Sequence, residues 1–168
     1  TGCFRFSATT ANTHLVAAKL IEAGCHVEEL NTLLFDTKPR ARMEAERIAR
    51  NHLEYHLDGR CALIYLTRDE IEQSRVDPAD LEELTSLPIS IEGVKVGLTL
   101  RQQPGGSYRI SVRTAKGVDA CAIARRLGGG GHTRAAGCEL LGNLDNAKNA
   151  ILAEVQAEFD RPEMQEEG

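Results

Sequence analysis

Residues 124–137 of the chain read Ala-Arg-Arg-Leu-Gly-Gly-Gly-Gly-His-Thr-Arg-Ala-Ala-Gly, with four consecutive glycines at the centre. Glycine loses more conformational freedom on folding than any other residue, so a run of four needs a structural or functional reason. One reason is an anion site, because exposed backbone N–H groups in a turn can bind a phosphate. The other is a helix end with a glycine spacer before a strand, which needs no ligand.

The charges around the glycines favour the anion. Arg125, Arg126 and Arg134 flank the run with permanent positive charge. His132 can donate a hydrogen bond whether its ring is neutral or protonated. We therefore predict a phosphate site whose backbone donors are the amides of Gly129, Gly130, Gly131 and His132. The segment is neither a P-loop, which needs Lys and Ser or Thr after the glycines, nor a dinucleotide-binding turn, which follows a strand and opens a helix.

The composition is that of a folded, acidic protein. The 168 residues are 42% hydrophobic and 27% charged, and the formal net charge is −5. This charge argues against a protein that coats nucleic acid, but it is compatible with a local basic pocket for a short phosphate-bearing ligand. No apolar run is long enough for a membrane span, so no membrane partner is expected. Five cysteines without a Cys-x-x-Cys spacing favour reduced thiols and a cytoplasmic location.

The N-terminal part is predicted to be mostly helical. A helix is expected over 11–23, and an amphipathic helix with a continuous apolar stripe is expected over 40–57. Because helices of the second kind often join two lobes, we predict 38–57 as a connecting helix. His52 and His56 lie four residues apart on it, but no third ligand follows, which favours two partly exposed histidines over a metal site.

The remainder is predicted to be α+β: a mixed β-sheet flanked by helices, with an N-terminal helical connector. Strands are expected over 61–66, 94–101, 108–113 and 136–141, and helical segments over 68–86, 120–127 and from 144 onward. Apolar and polar residues alternate over 94–101, which predicts one buried face and a hairpin with 108–113. The acidic tail over 161–168 is predicted to be disordered.

The strand over 108–113 carries three donor side chains on one side. Arg109, Ser111 and Arg113 alternate with apolar residues, as expected for a face that meets an anionic ligand. An ordinary solvent-facing strand is the alternative. If this strand lies beside 136–141, then Ser111, Arg113 and His132 converge on one pocket.

The chain lacks a recognisable hydrolytic centre. Phosphate hydrolysis usually needs metals held by clustered Asp and His, and no such cluster occurs in the sequence. We also find no Ser–His or Cys–His nucleophile arrangement. The residues alone therefore predict a chain that binds but does not cleave. It begins with Thr1 in what reads like the middle of a structured segment, so we expect it to be part of a longer protein.

The glycine run and the residues that follow it resemble a known family. The run over 126–132, followed by Ala-Ala-Gly-Cys over 135–138, is similar to the signature of the C-terminal DHH-associated domain of DHH-family phosphoesterases. Residues 110–114 resemble the substrate-side strand of that domain, and Thr1–Ser7 with Thr9 and Thr10 resembles the end of the catalytic DHH domain. The resemblance is strongest to the bacterial bifunctional oligoribonucleases that also remove the 3′-phosphate of adenosine 3′,5′-bisphosphate.

The resemblance implies a two-lobed, manganese-dependent phosphodiesterase acting on short oligoribonucleotides or nucleotide 3′,5′-bisphosphates. The Mn²⁺ ligands, an Asp before Thr1 and an Asp-His-His motif, would lie in an upstream DHH domain and not in this chain. The chain would bind no cofactor itself and would be inactive alone. Besides the RNA or nucleotide substrate, the expected partners are that upstream domain and a second copy in a homodimer.

The resemblance also assigns parts of the chain. Residues 1–37 would be the remnant of the DHH domain, 38–57 the connecting helix and 58–160 the substrate-binding domain. The implied substrate-binding residues are Ser111, Arg113, Gly129, Gly130, Gly131 and His132. No catalytic residue and no metal ligand are assigned, and Arg134 stands where the family tolerates various residues.

Two other functions are consistent with the same residues. One is a stand-alone nucleic-acid-binding or dimerisation module without an enzymatic half. The other is a tRNA-synthetase-type appendage, since a related glycine-rich, His-bearing domain occurs at the C-terminus of alanyl-tRNA synthetases. A long helix would precede such an appendage, and the expected helix over 40–57 is short for that.

Overall fold

The computed structural model describes residues 3–4 and 8–161, and its fold is α+β, as predicted. The helices are α1 (Ala11–Glu22), α2 (Val27–Asn31), α3 (Arg40–Asn51), α4 (Arg68–Ser74), α5 (Pro78–Glu83), α6 (Ala120–Arg126) and α7 (Leu144–Phe159). The strands are β1 (Glu54–His56), β2 (Cys61–Leu66), β3 (Val96–Gln102), β4 (Tyr108–Thr114), β5 (Gly130–His132) and β6 (Ala135–Leu140). The tail beyond 161 and most of the segment 1–7 lie outside the described residues. No helix in the described part is long and apolar enough to cross a membrane.

The chain divides into two compact units, Thr1–Pro39 and Arg40–Gly168. In the first unit, the predicted helix is confirmed as α1, which begins after the capping residue Thr10 and is followed by Gly24 at φ +95°. The region 27–37, ambiguous in sequence, forms α2 and a π-helical turn, Thr32–Asp36. No described residue of these helices is buried, so the first unit has no hydrophobic core of its own within the described part.

The second unit begins with α3, which is shorter than predicted. The helix ends at Asn51 and not at residue 57, because Glu54–His56 pairs with β2 as an antiparallel strand. A turn between β1 and β2 contains Gly59 at φ +78°, a backbone conformation that favours glycine. The prediction that His52 and His56 share one helix face is therefore wrong, since His56 belongs to β1.

The six strands form one sheet in the order β1-β2-β3-β4-β6-β5. Only β2 and β3 pair in parallel, and the crossover between them contains α4 and α5. A capping box starts α4, with Thr67 and Glu70 exchanging hydrogen bonds. The hairpin of β3 and β4 is also confirmed. The adjacent β4 and β6 are antiparallel, which brings the predicted strand 108–113 beside 136–141.

Helices cover the two faces of the sheet unequally. On one face, α6 and α7 pack against the whole central sheet through residues such as Leu98, Ile110, Ile123 and Ile151. On the other face, α3, α4 and α5 form a second core with Ile64 and Leu66 of β2, and no residue of β4, β5 or β6 contributes to that core. The prediction of one buried face for β3 is wrong, because the 3-10 helical turns Leu84–Ser86 and Pro88–Ser90 contact this strand and its polar residues Thr99 and Arg101 are buried as well.

Candidate anion-binding site

The first half of the glycine run ends helix α6. Gly128 takes φ +76°, and its N–H donates to the Arg125 carbonyl at 3.0 Å. The Gly129 N–H donates to the Ala124 carbonyl at 2.9 Å, which completes the Schellman pattern of a helix C-terminus. The ligand-free interpretation of the run therefore holds for these two glycines. The Gly129 amide is committed to the cap, so the prediction that it donates to a phosphate is wrong.

The second half of the run is a strand and not the predicted loop. Gly130–His132 forms β5 and pairs with β6, with Gly130 opposite Gly137 and His132 opposite Ala135. Gly131 has φ +148°, and a Cβ there would lie 2.6 Å from the Ala135 carbonyl oxygen. Close strand packing therefore explains why residue 131 is glycine.

Gly130 differs from its neighbours in the run. Its backbone has no positive φ, and no atom lies within 4 Å of the position that a Cβ would take. Neither turn geometry nor packing therefore requires glycine here. The open space in front of Gly130 belongs to a cleft on the sheet.

The strand register brings the predicted side chains onto one face. Arg113 of β4 pairs with Ala135, and Ala135 pairs with His132, so the three residues form one row across β4, β6 and β5. Residues paired in this way project to the same side of a sheet. The next row consists of Ser111, Gly137 and Gly130. Both rows lie on the face that carries the second core, in the part over β4, β6 and β5 that this core leaves uncovered.

A cleft of about 430 Å³ lies on this face. Among the predicted site residues, Ser111, Arg113, Gly130 and Gly131 line it. The other lining residues are Glu82, Arg109, Ile110, Ala135, Ala136, Gly137, Cys138 and Glu139. Gly129 and His132 do not line the cleft. His132 is exposed at the end of the row that starts at Arg113.

Two cationic or donor groups on this face are uncommitted. The Arg113 guanidinium donates only to the carbonyl of Val112, at 3.3 Å, and forms no ion pair within 4 Å among the described residues, although its charge is near enough to Glu82 to help lower the pKa of that carboxyl. The His132 ring has no hydrogen-bond partner in the described part of the chain. Ser111 is buried on the sheet between them. These groups can donate hydrogen bonds to an anion that enters from solvent.

The end of the cleft away from the glycine strand, called the far end below, contains two carboxylates that were not predicted from the sequence, Glu82 and Glu139. Glu82, on α5, accepts a hydrogen bond from Arg101 at 2.6 Å and lies 4.0 Å from Arg109. The bond from Arg101 and the nearby charges hold the pKa of Glu82 below its ordinary value. Glu139 faces Arg109 across β4 and β6 and accepts from Ser107. The pairing of 139 with 109 follows from strand register, but Glu82 comes from a distant helix and left no signal in the sequence.

Two of the three arginines that flank the glycines point to other partners. Arg126 lies 3.0 Å from Glu158 of α7, which packs on the opposite face of the sheet. Arg134 donates to the Thr114 carbonyl at 2.7 Å and fastens the turn between β5 and β6 to the end of β4. The prediction that Arg126 supplies charge to the site is therefore wrong. Arg134 does not line the cleft, and the arginines that do are Arg109 and Arg113.

The described residues do not fit a manganese ion. They include no group of three or more His, Cys, Asp or Glu side chains placed to hold a metal. His52 lies 3.2 Å from Glu70, whereas His56 lies 3.1 Å from Glu54, so each histidine has its own carboxylate partner. Cys138 lines the cleft only with its backbone, because it pairs with Ile110 and its side chain belongs to the core on the other face. Burial raises the pKa of its thiol to about 11, so this thiol is protonated at neutral pH and is not a nucleophile.

The sequence matches a known domain family. The model of the DHHA1 domain matches residues 59–160, which cover β2 to α7 and the whole cleft. The chain is 33% identical over 162 residues to the bifunctional oligoribonuclease and PAP phosphatase NrnA of Thermus thermophilus, covering 96% of this chain and 48% of that protein. It is 27% identical over 146 residues to the probable bifunctional oligoribonuclease and PAP phosphatase NrnA of Streptococcus mutans, covering 87% of this chain and 46% of the relative.

A solved structure shows the same fold. The chain superposes on an exopolyphosphatase-related protein from Bacteroides fragilis with a TM-score of 0.83 and 22% identity, over 94% of this chain and 46% of that one. The chain therefore spans about half the length of the relatives that it matches.

Proposed function

The chain belongs to the DHHA1 domain family, and from this premise we propose that it is the substrate-binding part of a DHH-family nucleotide phosphodiesterase. The substrates would be short oligoribonucleotides or nucleotide 3′,5′-bisphosphates. Two NrnA relatives with these activities in their names support this substrate class. In this proposal the cleft holds the phosphate end of the substrate.

The observation that carries the proposal is the row of Arg113, Ala135 and His132 beside an open glycine. Arg113 would bind phosphate oxygens with two parallel N–H donors. The Ser111 hydroxyl would donate a third hydrogen bond from the next row. His132 would donate from the margin, and the bare backbone of Gly130 and Gly131 would allow the phosphate close to the sheet.

Hydrolysis of the phosphate ester would take place in another part of the protein. Manganese is the metal that the family resemblance implies, and the described residues provide no site for it. The role of this chain is therefore to bind the substrate and fix its orientation. We propose that residues 1–37 complete an upstream DHH domain, that 38–57 connect the two lobes and that 58–160 bind substrate.

The first unit supports this division. Its described helices carry large apolar side chains in solvent, among them Leu15, Leu33 and Leu34 with 63%, 72% and 64% exposure. Such an apolar surface is typical of a segment that packs against another domain or protein. The five cysteines are all free, which supports a cytoplasmic location.

Binding of adenosine 3′,5′-bisphosphate tests the proposal directly. Titration calorimetry on the full 168-residue chain should show that Arg113→Gln and His132→Ala each weaken binding by ~1–3 kcal/mol, the range for a hydrogen bond to a charged group. Arg125→Gln is the matched control: although Arg125 flanks the glycines in sequence, it is exposed on α6, which packs on the opposite face of the sheet, and it does not line the cleft. Unchanged binding in both site variants, with unchanged melting temperatures, would overturn the proposed role of the cleft.

A further inference from the structure

The far end of the cleft is lined by groups of both charges. Arg109 and Glu139 pair across β4 and β6, so their side chains project from one row on the cleft face. Glu82, on α5, lines the same space. Along β4 this row lies two residues from Ser111 and four from Arg113, which is about 13 Å of strand from the proposed phosphate position.

Both carboxylates can accept further hydrogen bonds. The two oxygens of an ionised carboxylate together accept about four hydrogen bonds. Glu82 accepts from Arg101 through one oxygen, and no described residue donates to its other oxygen. Glu139 is exposed and accepts through one oxygen from the Ser107 hydroxyl. The far end therefore offers carboxylate oxygens on two sides to a ligand.

The opposite charges at the far end do not satisfy one another. The Arg109 side chain is 59% exposed, and its guanidinium lies 4.0 Å from Glu82, which is beyond hydrogen-bonding distance. Within the described part of the chain, Arg109 forms no ion pair within 4 Å with Glu139, its neighbour in the row. A donor and two acceptors that line one space without pairing are suited to a ligand group that itself carries both an acceptor and a donor.

Such a group is a nucleobase and not a second phosphate. A phosphate at neutral pH is an anion, and two carboxylates beside it would repel it. A base is neutral, and its edge combines acceptors with N–H donors: adenine has an amino group beside ring nitrogens, and the cytosine amino group donates to carboxylates. The row of Ser111, Gly137 and Gly130 carries a single hydroxymethyl side chain, so a sugar can lie between the base and the phosphate position.

We propose that the far end is a nucleobase subsite that prefers a base with an amino group beside a ring nitrogen, as in adenine and cytosine, over a base with a carbonyl oxygen in that place. Glu82 and Glu139 accept from the amino group, and Arg109 donates to the ring nitrogen. A carbonyl oxygen would be repelled by the two carboxylates. This inference rests on the proposed function, since it assigns base specificity within the same cleft. Only one phosphate is bound, at Arg113, so another phosphate of the substrate stays free for the metal centre proposed outside this chain.

The test uses two ligands that differ in this one group. Adenosine 5′-monophosphate and inosine 5′-monophosphate, in which a carbonyl oxygen replaces the amino group, are titrated by calorimetry into the full chain and into the Glu82→Gln/Glu139→Gln double variant. The unaltered chain should bind the adenosine nucleotide about tenfold more tightly, because it alone donates to a charged group. In the double variant the preference should fall below about threefold, because a glutamine amide can donate to the carbonyl oxygen.

Two further variants control for indirect effects. Glu83→Gln, at the next position of α5, removes a contact to Arg42 and not a cleft group, so it should keep the full preference. Glu139→Gln alone, at an exposed position, replaces the double variant if the melting temperature shows that the latter is unfolded. It should reduce the preference by about threefold, since Glu82 remains as an acceptor.

The outcomes separate this inference from the proposed function. If the unaltered chain binds both nucleotides equally and Arg113→Gln weakens both, the base subsite is wrong and the proposed function stands. A preference that persists in full in the double variant also overturns the subsite, as does equal weakening of both nucleotides, because the carboxylates then do not distinguish the two bases. If the unaltered chain binds neither nucleotide, the proposed function is wrong as well.

Discussion

Arg113 and His132 flank Ala135 from opposite sides, one on β4 and the other on β5, so both project from one row of the same sheet face. Two donors that share one anion should not act independently in binding. We expect Arg113→Gln and His132→Ala to show a coupling of at least ~0.5 kcal/mol in a double-mutant cycle with adenosine 3′,5′-bisphosphate, measured by calorimetry. The pair Arg113→Gln and Arg125→Gln should be additive. Additivity in the first pair as well would mean that the two residues bind different groups.

Gly130 and Gly131 are neighbours in β5 with opposite tolerance for a side chain. Gly131→Ala should destabilise the fold by ~1–3 kcal/mol, because the added Cβ would meet backbone atoms at 2.6 Å and φ is +148°. Gly130→Ala should leave the free energy of unfolding within about 1 kcal/mol, since nothing lies within 4 Å. Urea denaturation checks both values.

Substitution of Gly130 also distinguishes an effect on binding from an effect on folding. Gly130→Ala places a methyl group in the cleft and should weaken binding of adenosine 3′,5′-bisphosphate although the protein stays folded. The proposed closeness of the phosphate to the β5 backbone would be wrong if Gly130→Ala bound the nucleotide as tightly as the unaltered chain.

Short-range patterns in the sequence were sufficient to predict part of this site. Alternation along β4 predicted that Ser111 and Arg113 share a face, and the register confirms it. Gly128 was identifiable as a helix stop because a C′ residue with positive φ favours glycine. These features depend on a few neighbouring residues, which is why periodicity and cap residues predicted them.

Features set by distant residues could not be predicted in the same way. The glycine strand β5 exists because β6 offers it a partner, although glycine is a poor strand former by itself. Helix α3 ends early because Glu54–His56 pairs with β2, which overrides the apolar stripe that continues through Leu53. Arg126 was assigned to the site from its position next to the glycines, but Glu154 and Glu158, about 30 residues later, hold it on the other face.

The ion pair of Glu82 with Arg101, at the far end of the cleft, can be tested by measuring how the free energy of unfolding depends on pH. The hydrogen bond from Arg101, aided by Arg109 and Arg113, lowers the pKa of Glu82 in the folded state. A carboxylate with a lowered folded pKa stabilises the fold fully above its unfolded pKa of about 4.3, and that contribution is lost as the pH falls through the folded pKa.

Glu82→Gln should therefore lower the free energy of unfolding at pH 7 by no more than about 1 kcal/mol, because half of the Glu82 side chain is exposed and solvent screens the pair. The difference from the unaltered chain should shrink as the pH is lowered from 5 towards 3. Glu83→Gln, at the neighbouring position of α5, is the control for α5 itself; it touches Arg42 and not Arg101. Urea midpoints across this pH range measure the effect. A difference between Glu82→Gln and the unaltered chain that is the same at pH 7 and pH 3 would show that the ion pair with Arg101 does not stabilise the fold.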